Sequence, residues 1–374
     1  MGKPGNIYSH TGLRGLAALY VVLFHFVTTD LNGFEGKGMF FQLFQWGNYA
    51  VDLFFILSGF ILNWVYLSEP GAFKWGPYIR ARVGRIMPLY YLTLCLLMIV
   101  SVFSTPTHSI DPIGKNWVID IGLNLFMMSG IVYGWIRTIN GPAWSIGVEF
   151  FCYLTIFPVL FRLNRYFTGK SYSLPVSIGL VAVTTIGVAA SYHTEHIHIH
   201  NWIWDGSSLS RGIFGFSCGF ILCSIFRNLG SWRPGHLTSN MVSIVAGTIV
   251  ILASLHVISK YWVPCVIPAI VFFTAFDTGL TAAVLKTGPI QWLGERSYSI
   301  YLWHAIFLSH TDYLKNHFNE PANFAIVMSM ILVTSELSYR FFECPAREFI
   351  RNRFSGSAAG QQPALGLSRR LPST

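Results

Sequence analysis

The chain has 374 residues, 53% of them hydrophobic and 11% charged, with a formal net charge of +9. So apolar a composition excludes a soluble globular domain or a disordered polyelectrolyte. The positive balance does not point to nucleic acid, because the basic residues lie in short segments between long apolar runs, where they read as membrane topology.

A helix needs roughly 20 mostly apolar residues to cross a bilayer. Ten stretches qualify, at 12–28, 49–68, 86–104, 144–162, 174–192, 209–226, 240–258, 262–280, 297–313 and 324–342. The expectation is an all-α polytopic membrane protein of about ten transmembrane helices in one domain, 1–353. A disordered cytoplasmic tail is expected over 354–374, where the sequence is too small and polar to bury a core.

The first stretch, TGLRGLAALYVVLFHFVTT, carries Arg14 and His25 and no other charge. Eleven positions at ~100° each return to within ~20°, so both side chains share one helix face about 16 Å apart. Ionisable residues inside a membrane helix are costly and point to function by default. Asp52 opens the second stretch, and Arg82 and Arg85 lie in RARVGR before the third. The piece 117–134 carries Asp120 and Asn124 and is expected to be re-entrant or interfacial. Trp144 and Ser145 begin the 144–162 stretch, and Glu149 lies one turn inside it.

The histidines of SYHTEHIHIH (His193, His196, His198 and His200) show no regular ligand spacing, so a solvated loop is preferred to a metal site, and no metal is expected. His304 reads as lying in the inner half of the ninth stretch, either a cofactor contact or a packed histidine. Glu336 and Arg340, one turn apart in the last stretch, suit a structural ion pair. Trp46, Trp144, Trp202, Trp204, Trp262 and Trp292 fall at segment ends, as interfacial anchors do. Cys95, Cys152, Cys218, Cys223 and Cys265 lie in apolar stretches, where a thiol is a small apolar side chain. No cleavable leader pattern precedes the first helix.

Loops rich in Lys and Arg stay cytoplasmic. With the N-terminus inside, Lys74, Arg80, Arg82, Arg85, Arg162, Arg165, Lys170, Arg227, Arg233, Lys286, Arg296, Arg347, Arg351 and Arg353 all fall on the cytoplasmic side. The opposite loops hold Lys37, Lys115, Arg137, Lys260 and Lys315. An even number of crossings with both termini cytoplasmic satisfies this asymmetry.

That topology groups Arg14, Arg82 and Arg85 at the inner side, near Glu336, Arg340 and Glu343. His25, Asp52 and Glu149 fall toward the outer side. Arginine presents a planar fork of donors suited to phosphate, and histidine suits general-base work near neutral pH. Glu149 or Asp52 would fix the tautomer of His25. The set suits an anionic cytoplasmic donor and a hydroxyl acceptor outside. Each residue also has a plain structural reading: topology anchors for Arg82 and Arg85, snorkelling for Arg14, helix capping for Asp52 and Glu149.

In order along the chain, RGLAALYVVLFH at 14–25, VDLFFILSGFIL at 51–62, RARVGRIMPLYY at 80–91, GPAWSIGVEFFCYL at 141–154, SYSIYLWH at 297–304 and YRFFECPAR at 339–347 resemble the acyltransferase-3 family of integral membrane O-acyltransferases. The resemblance covers about residues 10–347. Family members acetylate lipopolysaccharide, exopolysaccharide, Nod factor, peptidoglycan and macrolides in bacteria. It implies a multi-pass protein of the bacterial inner membrane, with acyl-CoA, usually acetyl-CoA, as donor and a carbohydrate or lipid-linked glycan hydroxyl as acceptor. Functional roles follow by resemblance for Arg14 and His25, for the pair Arg82 and Arg85, for Trp144, Ser145 and Glu149, and for Glu343. Some members carry a fused extracytoplasmic hydrolase-like domain, so that step would here fall to a separate protein.

The expected function is membrane O-acyl transfer, with His25, Glu149 and Asp52 catalytic and Arg14, Arg82, Arg85 and His304 at the donor. Whether His25 is base or transient acyl carrier stays open. The rivals are a transporter of protons or of an acidic glycan, and a non-catalytic scaffold of glycan assembly. Internal repeats would mark many transporters, and the sequence has none.

Overall fold

The computed structural model describes residues 5–30, 38–67, 73–103, 117–132, 139–167, 173–194, 206–308 and 317–353. Among them the chain is helical, with no strand. The tail from 354 and the histidine-rich loop beyond Thr194 lie outside the described residues.

Among the described residues, eight helical stretches are long and apolar enough to cross a membrane, and a ninth if one bent pair counts as a crossing. The protein is therefore multi-pass and membrane-embedded. The first is α1 (Tyr8–His25), followed after α2 (Met39–Phe44) by α3 (Tyr49–Tyr66) and α4 (Trp75–Phe103). Two short helices, α5 (Trp117–Leu125) and α6 (Ser129–Val132), precede α7 (Trp144–Phe151), α8 (Phe157–Phe167), α9 (Ser173–Thr194) and α10 (Gly206–Asn228). The remainder are α11 (His236–Ser254), α12 (Trp262–Thr274), α13 (Gly279–Leu285), α14 (Gly288–Glu295), α15 (Ser297–Leu308), α16 (Glu320–Ser338) and α17 (Cys344–Arg353).

Two expectations change in detail. The stretch 262–280 is not straight: α12 meets α13 at 84°. The break holds Asp277 at φ 54° and Gly279 at φ 84°, left-handed conformations that end a helix. The RARVGR run is not a loop, because α4 starts at Trp75 and carries Arg82 and Arg85 on the helix itself. The last five residues of the stretch 297–313 lie outside the described residues. The piece 117–134 is broken at Met127 into helices of 9 and 4 residues, each too short to cross. Its Asn124 side chain donates to the Asp120 carbonyl and accepts from the Ile139 amide, which ties the break to the bundle.

Two close helix pairs set the frame. Between α3 and α10, a Cβ on Gly59 would lie 1.9 Å from the Phe216 carbonyl oxygen, and one on Gly219 would lie 1.8 Å from that of Ile56. Between α1 and α14, a Cβ on Gly15 would stand 2.6 Å from the Gly294 nitrogen. Small residues allow backbones to approach this closely in membranes. The start of α1 is held from outside its own sequence: Asp277 accepts from the amides of Tyr8 and Ser9 and from the Ser9 hydroxyl. A carboxylate there satisfies orphan N–H groups and the helix dipole.

We call the bundle end where α1 begins proximal and the other distal. Because α14 packs on the start of α1 and α15 continues the same way, α1 and α15 run side by side toward the distal end.

Candidate functional site

A cavity opens within the bundle between α1, α3, α4, α7 and α15. Arg14, Arg85, Glu149, Ser58, Ser145 and Tyr301 supply its polar lining. Arg14 reaches it from the middle of α1, and Arg85 from α4, three residues after Arg82. That spacing on a helix turns side chains by ~300°, so neighbouring arginines diverge slightly. Arg82 is buried against the rings of Tyr66 and Tyr153, 5.8 and 5.5 Å from their centroids. Arg14 and Arg85 thus share a cavity, with Arg82 packed behind.

Glu149 belongs to this group. Its carboxylate accepts from the Ser58 hydroxyl and from Tyr153 Oη, the latter at 2.5 Å. Tyr153 sits in a π-helical turn, Cys152–Ile156, that widens the helix just after Glu149. Such turns recur at functional positions. Two others adjoin site residues: Phe26–Asp30 follows His25, and Tyr339–Glu343 ends on Glu343.

At the distal side of the cavity Ser145 Oγ and Tyr301 Oη lie 2.8 Å apart, and Tyr301 donates to the Pro142 carbonyl. The Tyr301 ring is 5.7 Å from that of His304. His304 in turn meets His25, with His304 Nε2 at 3.3 Å from His25 Nδ1 and ring centroids 5.0 Å apart. His25 Nδ1 also lies 2.9 Å from the Val21 carbonyl oxygen. His304 is fully buried and His25 partly so.

The structure revises the grouping read from sequence. Asp52 is buried with Arg211, whose Nε lies 3.0 Å away, and accepts from Tyr192 Oη at 2.5 Å. Arg211 stacks 4.2 Å over the Tyr192 ring and 5.4 Å from the Trp144 ring. Trp144 is therefore tied into the bundle by Arg211 as well as by Phe55, beyond any role as an interfacial anchor. Glu149 joins the arginines at the cavity. His304, expected at the inner half beside the donor, stands level with His25, because α14 takes up the proximal part of its crossing.

Glu336 pairs with Arg340 as expected, and also with Arg296. Glu343, 1% exposed, accepts from the Ser299 hydroxyl at 2.6 Å and pairs with Arg347, fixing the end of the last crossing to the base of α15.

Arg211 was missed in the sequence reading. It lies in SLSRGIFGF, inside an apolar stretch, and the rule that singled out Arg14 applies to it equally. Tyr153 and Tyr301 carry no sequence signal of that kind, since a tyrosine in an apolar helix is commonplace.

Arg14, Arg85 and Glu149 line the cavity of this all-helical membrane bundle, and the histidine pair lies beyond Tyr301 at its distal side. Residues 7–340 match the family described as Acyltransferase domain, and the chain belongs to that family. It is similar to the acyltransferase MdmB of Streptomyces mycarofaciens, 28% identical over 81% of this chain and 79% of that protein. It is also similar to the peptidoglycan O-acetyltransferase OatA of Listeria monocytogenes, 24% identical over 92% of this chain and 56% of that protein. The chain thus spans little more than half the length of the second relative. No solved structure shows a significant match.

Proposed function

We propose that the chain transfers an acyl group, acetyl for preference, from cytoplasmic acyl-CoA to a hydroxyl of a carbohydrate or lipid-linked glycan, across a bacterial inner membrane. The observation that carries this reading is the cavity that joins Arg14, Arg85 and Glu149 at one end to Ser145 and Tyr301 beside the histidine pair. Family membership supports acyl transfer, and the Listeria relative, a peptidoglycan O-acetyltransferase, gives a precedent for a hydroxyl acceptor.

In this reading the proximal end is cytoplasmic, as the Lys and Arg distribution favours. Arg14 and Arg85 hold the phosphates of the donor with charge-assisted hydrogen bonds, and Arg82 adds positive field from behind. Glu149 supplies a counter-charge that keeps the guanidinium groups poised, and Ser58 and Tyr153 fix its carboxylate. The ~16 Å rise along α1 from Arg14 to His25 suits an extended pantetheine arm, which would bring the thioester up to the histidines. His25 takes the proton of the acceptor hydroxyl. The oxygen attacks the thioester carbonyl, the C–O bond forms and the C–S bond breaks, and the proton passes from His25 to the leaving thiolate. Ser145 shapes the distal wall, Trp144 packs against Arg211 and Phe55 beside it, and Glu343 holds the base of α15.

The test is binding and turnover of acetyl-CoA by the purified full chain. Arg14→Ala and Arg85→Ala each remove a charge-assisted contact worth roughly 1.5–3 kcal/mol, so the KM for acetyl-CoA rises about 10–100-fold. Wild-type protein that binds no acetyl-CoA would refute the reading.

A further inference from the structure

We propose that His304 is the positioning residue of His25, holding its imidazole in the tautomer whose Nε2 is the basic atom. The inference rests on the reading of His25 as the base and extends it to a second residue.

The argument is one of valence. A backbone carbonyl oxygen only accepts, so a ring nitrogen 2.9 Å from the Val21 oxygen must carry hydrogen. In its neutral form His25 therefore bears its proton on Nδ1, and Nε2 keeps the lone pair. His304 Nε2 faces that same Nδ1–H at 3.3 Å. Two N–H groups cannot point at each other at that distance, so His304 Nε2 is the acceptor. The hydrogen of His304 then sits on its own Nδ1. His25 shares one N–H between Val21 and His304, and both contacts strengthen when Nε2 takes up a proton and the ring becomes imidazolium.

The packing explains why the pair is durable. His25 ends α1 where the helix widens into the π-helical turn Phe26–Asp30, which moves the ring off the regular helical path. Gly12, Gly15 and Gly294 draw α1 and the α14–α15 segment together, which sets their distal ends at hydrogen-bond range. His304 is fully enclosed, and its Nδ1 is buried without a hydrogen-bond partner among the described residues, so Nε2 is the nitrogen through which its ring acts on a neighbour. In serine hydrolases a buried carboxylate performs this service for the catalytic imidazole. Here the ring of His304 stands at Nδ1 of His25, the atom that such a carboxylate faces.

The experiment uses the full chain in lipid nanodiscs, with acetyl-CoA as donor and envelope-glycan extract as acceptor, following release of CoA thiol. His304→Phe keeps a ring and removes the acceptor; kcat falls about 10–100-fold, less than the loss when a triad carboxylate is neutralised, and the KM for acetyl-CoA is unchanged. His304→Gln places an amide oxygen where Nε2 stood and restores most of kcat, whereas His304→Asn, which is too short, does not. The Gln and Asn variants keep the test independent of whether the Phe variant folds. In a His25→Ala background, His304→Phe causes no further loss, because His304 acts only through His25. Wild-type kcat in His304→Phe or His304→Asn, a Gln variant as slow as Asn, or an additive loss in the His25→Ala background would each overturn the proposal. Full turnover by His25→Ala alone would instead overturn His25 as the base, so the two failures are distinguishable.

Discussion

At the scale of single residues, the molecule separates buried charge into two uses. Asp52 and Arg211 form a closed ion pair with Tyr192 and Trp144 around it, and their charges are spent on each other. Arg14 and Arg85 line open space. Breaking a buried pair from one side is expensive because the remaining charge is stranded. Arg211→Ala is therefore expected to destabilise the protein by about 3–5 kcal/mol, while the double neutral replacement Asp52→Asn with Arg211→Gln costs less. Thermal unfolding of detergent-solubilised protein followed by tryptophan fluorescence reads the difference; an unchanged midpoint in Arg211→Ala would contradict the assignment. Which ionisable groups exist was plain from the sequence, and the arginine and histidine of the first stretch stood out at once. How they pair was not. Position 52 meets 211 and position 25 meets 304, and such contacts depend on how helices pack, which local periodicity does not encode.

At the scale of elements, close approach of backbones decides what the side chains can reach. The α3–α10 contact through Gly59 and Gly219 carries Asp52 to Arg211, and the α1–α14 contact through Gly12, Gly15 and Gly294 carries His25 to His304. A Cβ at Gly59 would already overlap the Phe216 carbonyl, whereas Gly247 on α11 faces open space. Gly59→Leu is expected to cost about 1–3 kcal/mol or more by overpacking, and Gly247→Leu almost nothing. Equal melting temperatures for the two variants would count against the packing described. Element boundaries also explain the misplacement of His304. Counting from residue 297 put it near the start of its crossing, but α14 (Gly288–Glu295) already spans the proximal layer beside α1. Likewise α4 begins at Trp75, so arginines that read as a loop are helical. Hydropathy finds the apolar part of a helix and misses the polar turns that extend it.

At the scale of the whole molecule, eight of the ten expected crossings and the interrupted 117–134 segment were legible because they rest on hydrophobic length, which the bilayer enforces. The proposed orientation follows from the basic residues and is open to direct measurement. In a variant lacking native cysteines, Lys260→Cys is expected to react with an impermeant maleimide added to intact cells, and Lys74→Cys only after permeabilisation; the reverse pattern would invert the topology. In the proposed transfer, that orientation assigns the arginines to the donor side and the histidine pair to the acceptor side.

The most direct measurement is mass spectrometry of envelope and secreted glycans from cells lacking the chain and complemented with either wild type or His25→Ala. The account predicts a glycan species heavier by one acyl group with wild type, and its absence, to within a residual of about 1% or less, in both the null and the His25→Ala strain. An undiminished acylated species in the His25→Ala strain, with the protein folded and present in the membrane, would contradict it.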